Sequence, residues 1–208
     1  MKKGVLILIA ILLLAFQLSG CSPKPAPLSI NFESPYMSGI GLYAGTWKVV
    51  DDGTGNHVFE QQDPTIQDWP GFVVGGIIEN GVIQFRFKYL SYENFDGSGR
   101  VNLSFRQTKD VGGYVLSFNP YINRNTINYV GKDGVWSDFL PGSESMVTFT
   151  KDTWYNVRVE LKGQSIKVYL NDNLLTSITD NKFKSGTISI GLGPQTTAQI
   201  DDISIVYQ

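Results

Sequence analysis

Few residues in this 208-residue chain can do covalent or acid–base chemistry, and they are scattered along it. It has one cysteine, Cys21, and one histidine, His57. Side-chain hydrolysis of a glycosidic bond needs two carboxyl groups roughly 5–9.5 Å apart, a spacing that alternating positions on one strand supply. No alternating segment carries such a pair. Asp51, Asp52, Glu79, Glu93, Asp96, Asp110 and Asp133 fall instead in stretches that read as turns, although carboxylates distant in sequence can still converge by folding. His57, in GTGNHVF, formally permits a Ser-His-Asp arrangement, but no nucleophile-elbow pattern accompanies it. A loop or surface histidine is the expectation. One histidine and one cysteine cannot assemble a zinc or iron constellation, and DVGG at 110–113 reads as a hairpin turn, not as a phosphate cradle. The balance leans away from an enzyme.

Binding chemistry is better provided for. The chain has four tryptophans, ten tyrosines and twelve phenylalanines. Flat rings stack on apolar ligand faces, and planar polar groups such as Arg and Asn grip hydroxyls. Trp47 and Trp154 each open an apolar run and are expected in the core or at its edge. Trp69 in IQDWPG and Trp136 in KDGVWSDF lie in loops, where a large ring is a candidate for stacking or a plug over the end of the fold. Tyr92 and Phe95 in SYENFDG are weaker candidates of the same kind.

The elements that must position these groups are strands. NGVIQFRFKYL (80–90) sets Ile83, Phe85, Phe87 and Tyr89 against Gln84, Arg86 and Lys88. RVNLSFRQ sets Val101, Leu103 and Phe105 against Asn102, Ser104 and Arg106, and WYNVRVELK repeats the period of two. SIKVYL (165–170), GTISIGL (186–192) and DISIVY (202–207) continue the series. DDGTGN, ENG, DGSG, KDG, KG and NDN separate the runs with residues that tolerate positive φ. No stretch of ten or more has a helical period, and QQDPTIQDW (61–69) holds at most a turn or two. An all-β fold is the consequence, a two-sheet antiparallel β-sandwich or jelly roll in one domain over residues 30–208. If the strands at 80–90 and 100–107 are neighbours, Arg86, Lys88, Asn102, Ser104 and Arg106 form one polar, partly cationic face, joined by Ser117 and Asn119 from GGYVLSFNP.

The N-terminus reads as an address. Lys2 and Lys3 precede an apolar run of 12 residues, Val5 to Phe16, too short to span a bilayer, which needs about 20. LSGC then resembles the lipobox of bacterial lipoproteins. That resemblance implies cleavage before Cys21, acylation of its thiol and a signal peptide at 1–20. The proline-rich segment 21–29 reads as an extended tether, and two or more acyl chains would anchor stably where one binds marginally. The expected location is the bacterial cell envelope, lipid-anchored to the membrane with the domain on the extracytoplasmic side. In a Gram-negative cell, Ser22 in place of Asp favours the outer membrane or cell surface. Loss of the two signal lysines moves the formal charge from −2 to −4. With no basic run, a nucleic-acid partner has no electrostatic support.

GTWKVVDDG, VNLSFRQTKDVGGYVLSF, DTWYNVRVELKGQSIKVYLNDNLL and SGTISIGLGPQTTAQIDDISIVY occur in the order found in concanavalin A-like jelly rolls. Over nearly all of residues 40–208 the chain resembles the laminin G-like and 3-keto-disaccharide hydrolase-like domains of bacterial surface proteins. It departs from many relatives in having Leu103 and Ser104 where they carry a glycine and a small residue, which weakens transfer of any ligand preference. The resemblance implies contact with an oligo- or polysaccharide. Arg106, matching the family's Phe-Arg pair and lying beside the turn to Tyr114, is the first candidate ligand, with Arg86, Asn102, Asn119, Tyr114, Trp136 and Trp69. It further implies that Glu33, near the first strand, and Asp202, on the last, could hold one structural Ca²⁺. The alternatives are a glycoside-processing hydrolase and a module that contacts another protein.

Overall fold

The computed structural model describes residues 24–34, 37–92 and 98–208. Cys21, the signal segment and Phe95 lie outside the described residues. Sixteen strands form two antiparallel eight-stranded sheets, and no helix occurs among the described residues. One sheet, here the tether sheet, runs in the spatial order β14 (Asn173–Thr179), β13 (Ser165–Leu170), β12 (Trp154–Lys162), β6 (Gly81–Tyr92), β16 (Thr196–Tyr207), β4 (His57–Gln61) and β3 (Trp47–Asp51). Its eighth strand, β1 (Leu28–Ile30), pairs with the C-terminal half of β16. The other, the groove sheet, is ordered β10 (Trp136–Phe139), β9 (Arg124–Gly131), β8 (Gly112–Asn119), β7 (Val101–Thr108), β15 (Gly186–Leu192), β5 (Gly71–Ile78) and β2 (Ile40–Ala44). Its eighth strand, β11 (Ser145–Met146), pairs with β9.

The period of two read from the sequence is the packing scheme. Phe85, Phe87, Tyr89, Val157 and Val159 from one sheet meet Leu103, Phe105, Leu116, Phe118 and Ile190 from the other, all buried. Phe87 packs within 5.2–5.4 Å, centroid to centroid, of Tyr89, Phe118 and Tyr155. Each such side chain contributes about 1.5–3 kcal/mol by leaving water. Tyr89 is a polar group in this core, and its hydroxyl donates to the Phe118 carbonyl (2.7 Å) and accepts from the Val101 amide (3.0 Å). The Asn171–Asp172 turn between β13 and β14 has positive φ at both residues, the geometry of a tight hairpin turn.

Two details differ from the sequence reading, while residues 62–70 form an irregular loop with a turn, within what the sequence allowed. Leu28 and Ser29, assigned to the tether, pair with Ile205 and Ser204. Trp47 is indeed core, stacked on Phe59 at 5.0 Å, but Trp154 is not. It pairs with Lys88 on the outer face of the tether sheet, half-buried under the Arg86 and Lys88 side chains. The alternation explains this, because buried Tyr155 takes the inward position.

Candidate functional site

A surface concavity of about 450 Å³ lies on the outer face of the groove sheet. Its floor follows from strand register. Asn102 on β7 stands beside Ser117 on β8 and Gly191 on β15, and Ser104 stands beside Val115 and Ser189. The sheet provides close approach where it is needed. The Tyr43 hydroxyl lies so near Gly71 that a methyl group there would sit 2.3 Å from it. Tyr43 is thus laid over the Gly71–Gly191 pair, its ring half exposed. Burial pushes its hydroxyl pKa up, against a hydrogen bond with Ser189.

Trp69, from the loop before β5, and Trp136, from the edge strand β10, are 67 positions apart in sequence. Their rings meet at 5.5 Å with a 32° tilt, and both line the groove. The Arg100 guanidinium lies 5.7 Å from one ring centroid and 5.5 Å from the other, a cation–π arrangement that fixes the rings as one wall. Among the described residues that line the groove, none is Asp, Glu or His. What these residues can do chemically is stack an apolar ring face and exchange hydrogen bonds with hydroxyls.

Most of the other expected site residues lie elsewhere. Arg86 is on β6, in the tether sheet, and so on the opposite outer face from Asn102. It is engaged by buried Asp201 (2.6 Å) and by Asp202 (2.9 Å). The single polar face expected from 86, 88, 102, 104 and 106 therefore does not form, because the strands at 81–92 and 101–108 belong to different sheets. Arg106 departs for a local reason. A bulge between Phe105 and Thr108 interrupts the β7 register, and Arg106 takes φ +50. Gln107 takes the groove-facing position instead. Arg106 turns to the end of the sandwich, 1% exposed. There it donates to the carbonyls of Glu79 (3.0 and 2.6 Å), Gly163 (2.8 Å) and Phe183 (3.3 Å), tying three loops together. Burial lowers its pKa.

Tyr114 faces the core, stacked on Phe105 at 5.2 Å. Its hydroxyl donates to Asp180 and accepts from the Phe183 amide (3.2 Å). Burial is the main cause that pushes its pKa to about 12, with the bond to Asp180 adding to it. Tyr129 donates to the second oxygen of Asp180 at 2.5 Å. Burial works to raise the Asp180 pKa, but the two tyrosine bonds, with the Lys182 amide and its charge, together hold the carboxyl low. Asn119 caps the turn after β8, accepting from the amides of Tyr121 and Ile122. Tyr92 packs at the edge of the core.

The two carboxylates expected to share a calcium ion each have another side chain as partner. Glu33 accepts from the His57 amide (2.8 Å) and lies 3.0 Å from His57 Nδ1, while Asp202 pairs with Arg86. Among the described residues no three His, Cys, Asp or Glu side chains gather as a metal site would require.

Of the expected sugar-binding residues, then, Trp69, Trp136 and Asn102 come together. Tyr43, Gln107, Thr187 and Ser189 join them without having been singled out. GTISIGL did carry a signal, since its alternation puts Thr187, Ser189 and Gly191 on one face. That β15 lies beside β7 could not be read locally.

Solved structures share this arrangement of strands. A carbohydrate-binding module of the CBM66 type from Bacillus subtilis superposes with a TM-score of 0.63 at 18% identity, covering 80% of this chain and 94% of that one. A protein with a galectin-like fold from the same organism gives 0.65 at 10% identity over 89% and 99%. The β-glucanase of Bacillus licheniformis gives 0.62 at 13% identity over 88% and 99%. The fold is the concanavalin A-like jelly roll. No protein-family model and no curated protein sequence matches the chain. At these identities the jelly roll is what is shared, and any ligand has to be argued from the groove itself.

Proposed function

We propose that the chain is a non-catalytic, carbohydrate-binding surface module, anchored by lipid at Cys21, with the groove as its sugar site. The observation that carries this is the pairing of Trp69 and Trp136 on a floor of amide and hydroxyl side chains. Two rings supply the stacking wall for a sugar's C–H face, and Asn102, Gln107 and Ser189 supply hydrogen bonds. Among the described groove-lining residues there is no pair of carboxyl groups of the kind glycoside hydrolysis uses. The address supports an exposed location, since the LSGC motif comes directly after an apolar run of signal-peptide length.

The test is a glycan array probed with the full-length protein in detergent, with every hit examined for cleavage. Intact bound glycan is the expected result. Trp69→Ala and Trp136→Ala should each weaken binding about tenfold, since stacking contributes roughly 0.5–1.5 kcal/mol beyond burial and about 1.4 kcal/mol is a factor of ten. Cleaved glycan would overturn the non-catalytic reading. Full affinity in both tryptophan variants would remove the groove as the site.

A further inference from the structure

The geometry points to a ligand class for the groove, namely an uncharged sugar with a hydroxyl that is read from the floor by the Asn102 carboxamide. This rests on the groove being the sugar site. Asn102 and Ser117 are directly opposed in the β7–β8 pairing, so their side chains share the outer face about 5 Å apart. An outer face ordinarily meets water, yet these residues are only 5% and 2% exposed. Neither Asn102 Oδ1 nor Ser117 Oγ has a hydrogen-bond partner among the described residues. A buried polar atom left unpaired is a standing penalty on the folded state and calls for an explanation. Asn102 lines the groove, so the partner it lacks can arrive from there.

The unpaired Asn102 atom specifies the chemistry of its partner. A carboxamide oxygen only accepts, so the group that completes it from the groove is a donor, and a sugar O–H supplies one. Charge narrows the class further. Among the described residues that line the groove, none is Asp, Glu, Lys, Arg or His. Arg100 is stacked on the two tryptophan rings and does not itself line the groove. A uronate or sulfate seated on the floor would lose its water without meeting an opposite charge.

Affinity electrophoresis of the full-length protein tests this with two probe sets. A β-glucan, a mannan and a fructan are the neutral set, and polygalacturonate and heparin the anionic one. The neutral set should bind and the anionic set should not. In Asn102→Ala, affinity for the best neutral probe should fall at least tenfold while Tm holds or rises, because an unpaired buried atom has been removed. A merely structural role would instead lower Tm and leave the affinity of the folded fraction unchanged, which would overturn the inference. Tighter binding of the anionic set would overturn it too. Loss of binding in Trp69→Ala and Trp136→Ala with full binding in Asn102→Ala would leave the sugar groove standing and sink this inference alone. If neither set binds, both fall.

Discussion

Replacing Arg106 by alanine should damage the fold and spare the groove. The side chain is 1% exposed and makes four hydrogen bonds to three carbonyls, on the turns at Glu79 and Gly163 and the loop at Phe183. Hydrogen bonds to a charged group contribute about 1.5–3 kcal/mol each. The two Glu79 bonds share one acceptor, so three carbonyls lose their partner, which gives about 4–9 kcal/mol before relief. Relief is available, because a cavity of about 320 Å³ borders Arg106, and water entering it can hydrate the freed carbonyls. The lower end, about 4 kcal/mol, is the expected loss. At about 2–4 °C per kcal/mol for a domain of this size, Tm should drop by roughly 8–16 °C. Arg106→Lys should recover only part of this, since one ammonium cannot reach three acceptors in the guanidinium's fork. Thermal unfolding followed by near-UV circular dichroism measures the loss. Glycan affinity is measured well below the variant's Tm. A change in Tm under 3 °C, or normal stability with lost glycan binding, would refute the clamp and return Arg106 to the ligand site.

Tyr89→Phe removes both hydrogen bonds of a buried hydroxyl and leaves an amide and a carbonyl of the groove sheet unpaired, so urea unfolding should show a loss of about 2–3 kcal/mol. The Glu33–His57 tie should depend on pH. The hydrogen bond with Glu33 raises the His57 pKa, and the His57 amide, then its ring, lowers that of Glu33. A raised imidazole stabilises the fold below its unfolded pKa and loses that contribution as pH rises through the folded one. A lowered carboxyl loses its contribution as pH falls through its depressed value. Protection of the His57 amide in hydrogen exchange should therefore peak between the two, a maximum that His57→Ala abolishes. Cys21→Ser should move the protein from the membrane to the soluble fraction, and palmitate labelling that survives in the variant would refute lipid attachment there.

The strands were legible wherever one face is buried. The stretches 154–162, 165–170 and 186–192 in particular are strands with the bounds the alternation suggested. Trp69 and Trp136 stood out because each sits in a polar stretch, although Trp136 opens the edge strand β10 where a loop was expected. The hidden part was long-range. The polar residues of 81–92 and 101–108 look alike in sequence, and only the assignment of these strands to different sheets parts them. Arg106 was hidden by one inserted residue. A bulge reverses the facing of the residues beyond it, and the glycine that makes room for it, Gly186, comes from a strand some 80 residues on. Tyr43 over Gly71 and Gly191 likewise depends on contacts that no local window contains.

The short β1 strand has a mechanical consequence. Load applied through residues 24–27 enters the body at Leu28, where the pairing of Leu28–Ile30 with β16 and the packing of Leu28 and Ile30 on the core resist it first. Behind that come the Phe32 ring, stacked on Phe59 at 5.1 Å, and the Glu33–His57 contact. A pull hard enough to peel β1 would add a few residues to the extended segment and absorb strain, while the Trp69–Trp136 wall, on the opposite outer face, would take none of the load directly.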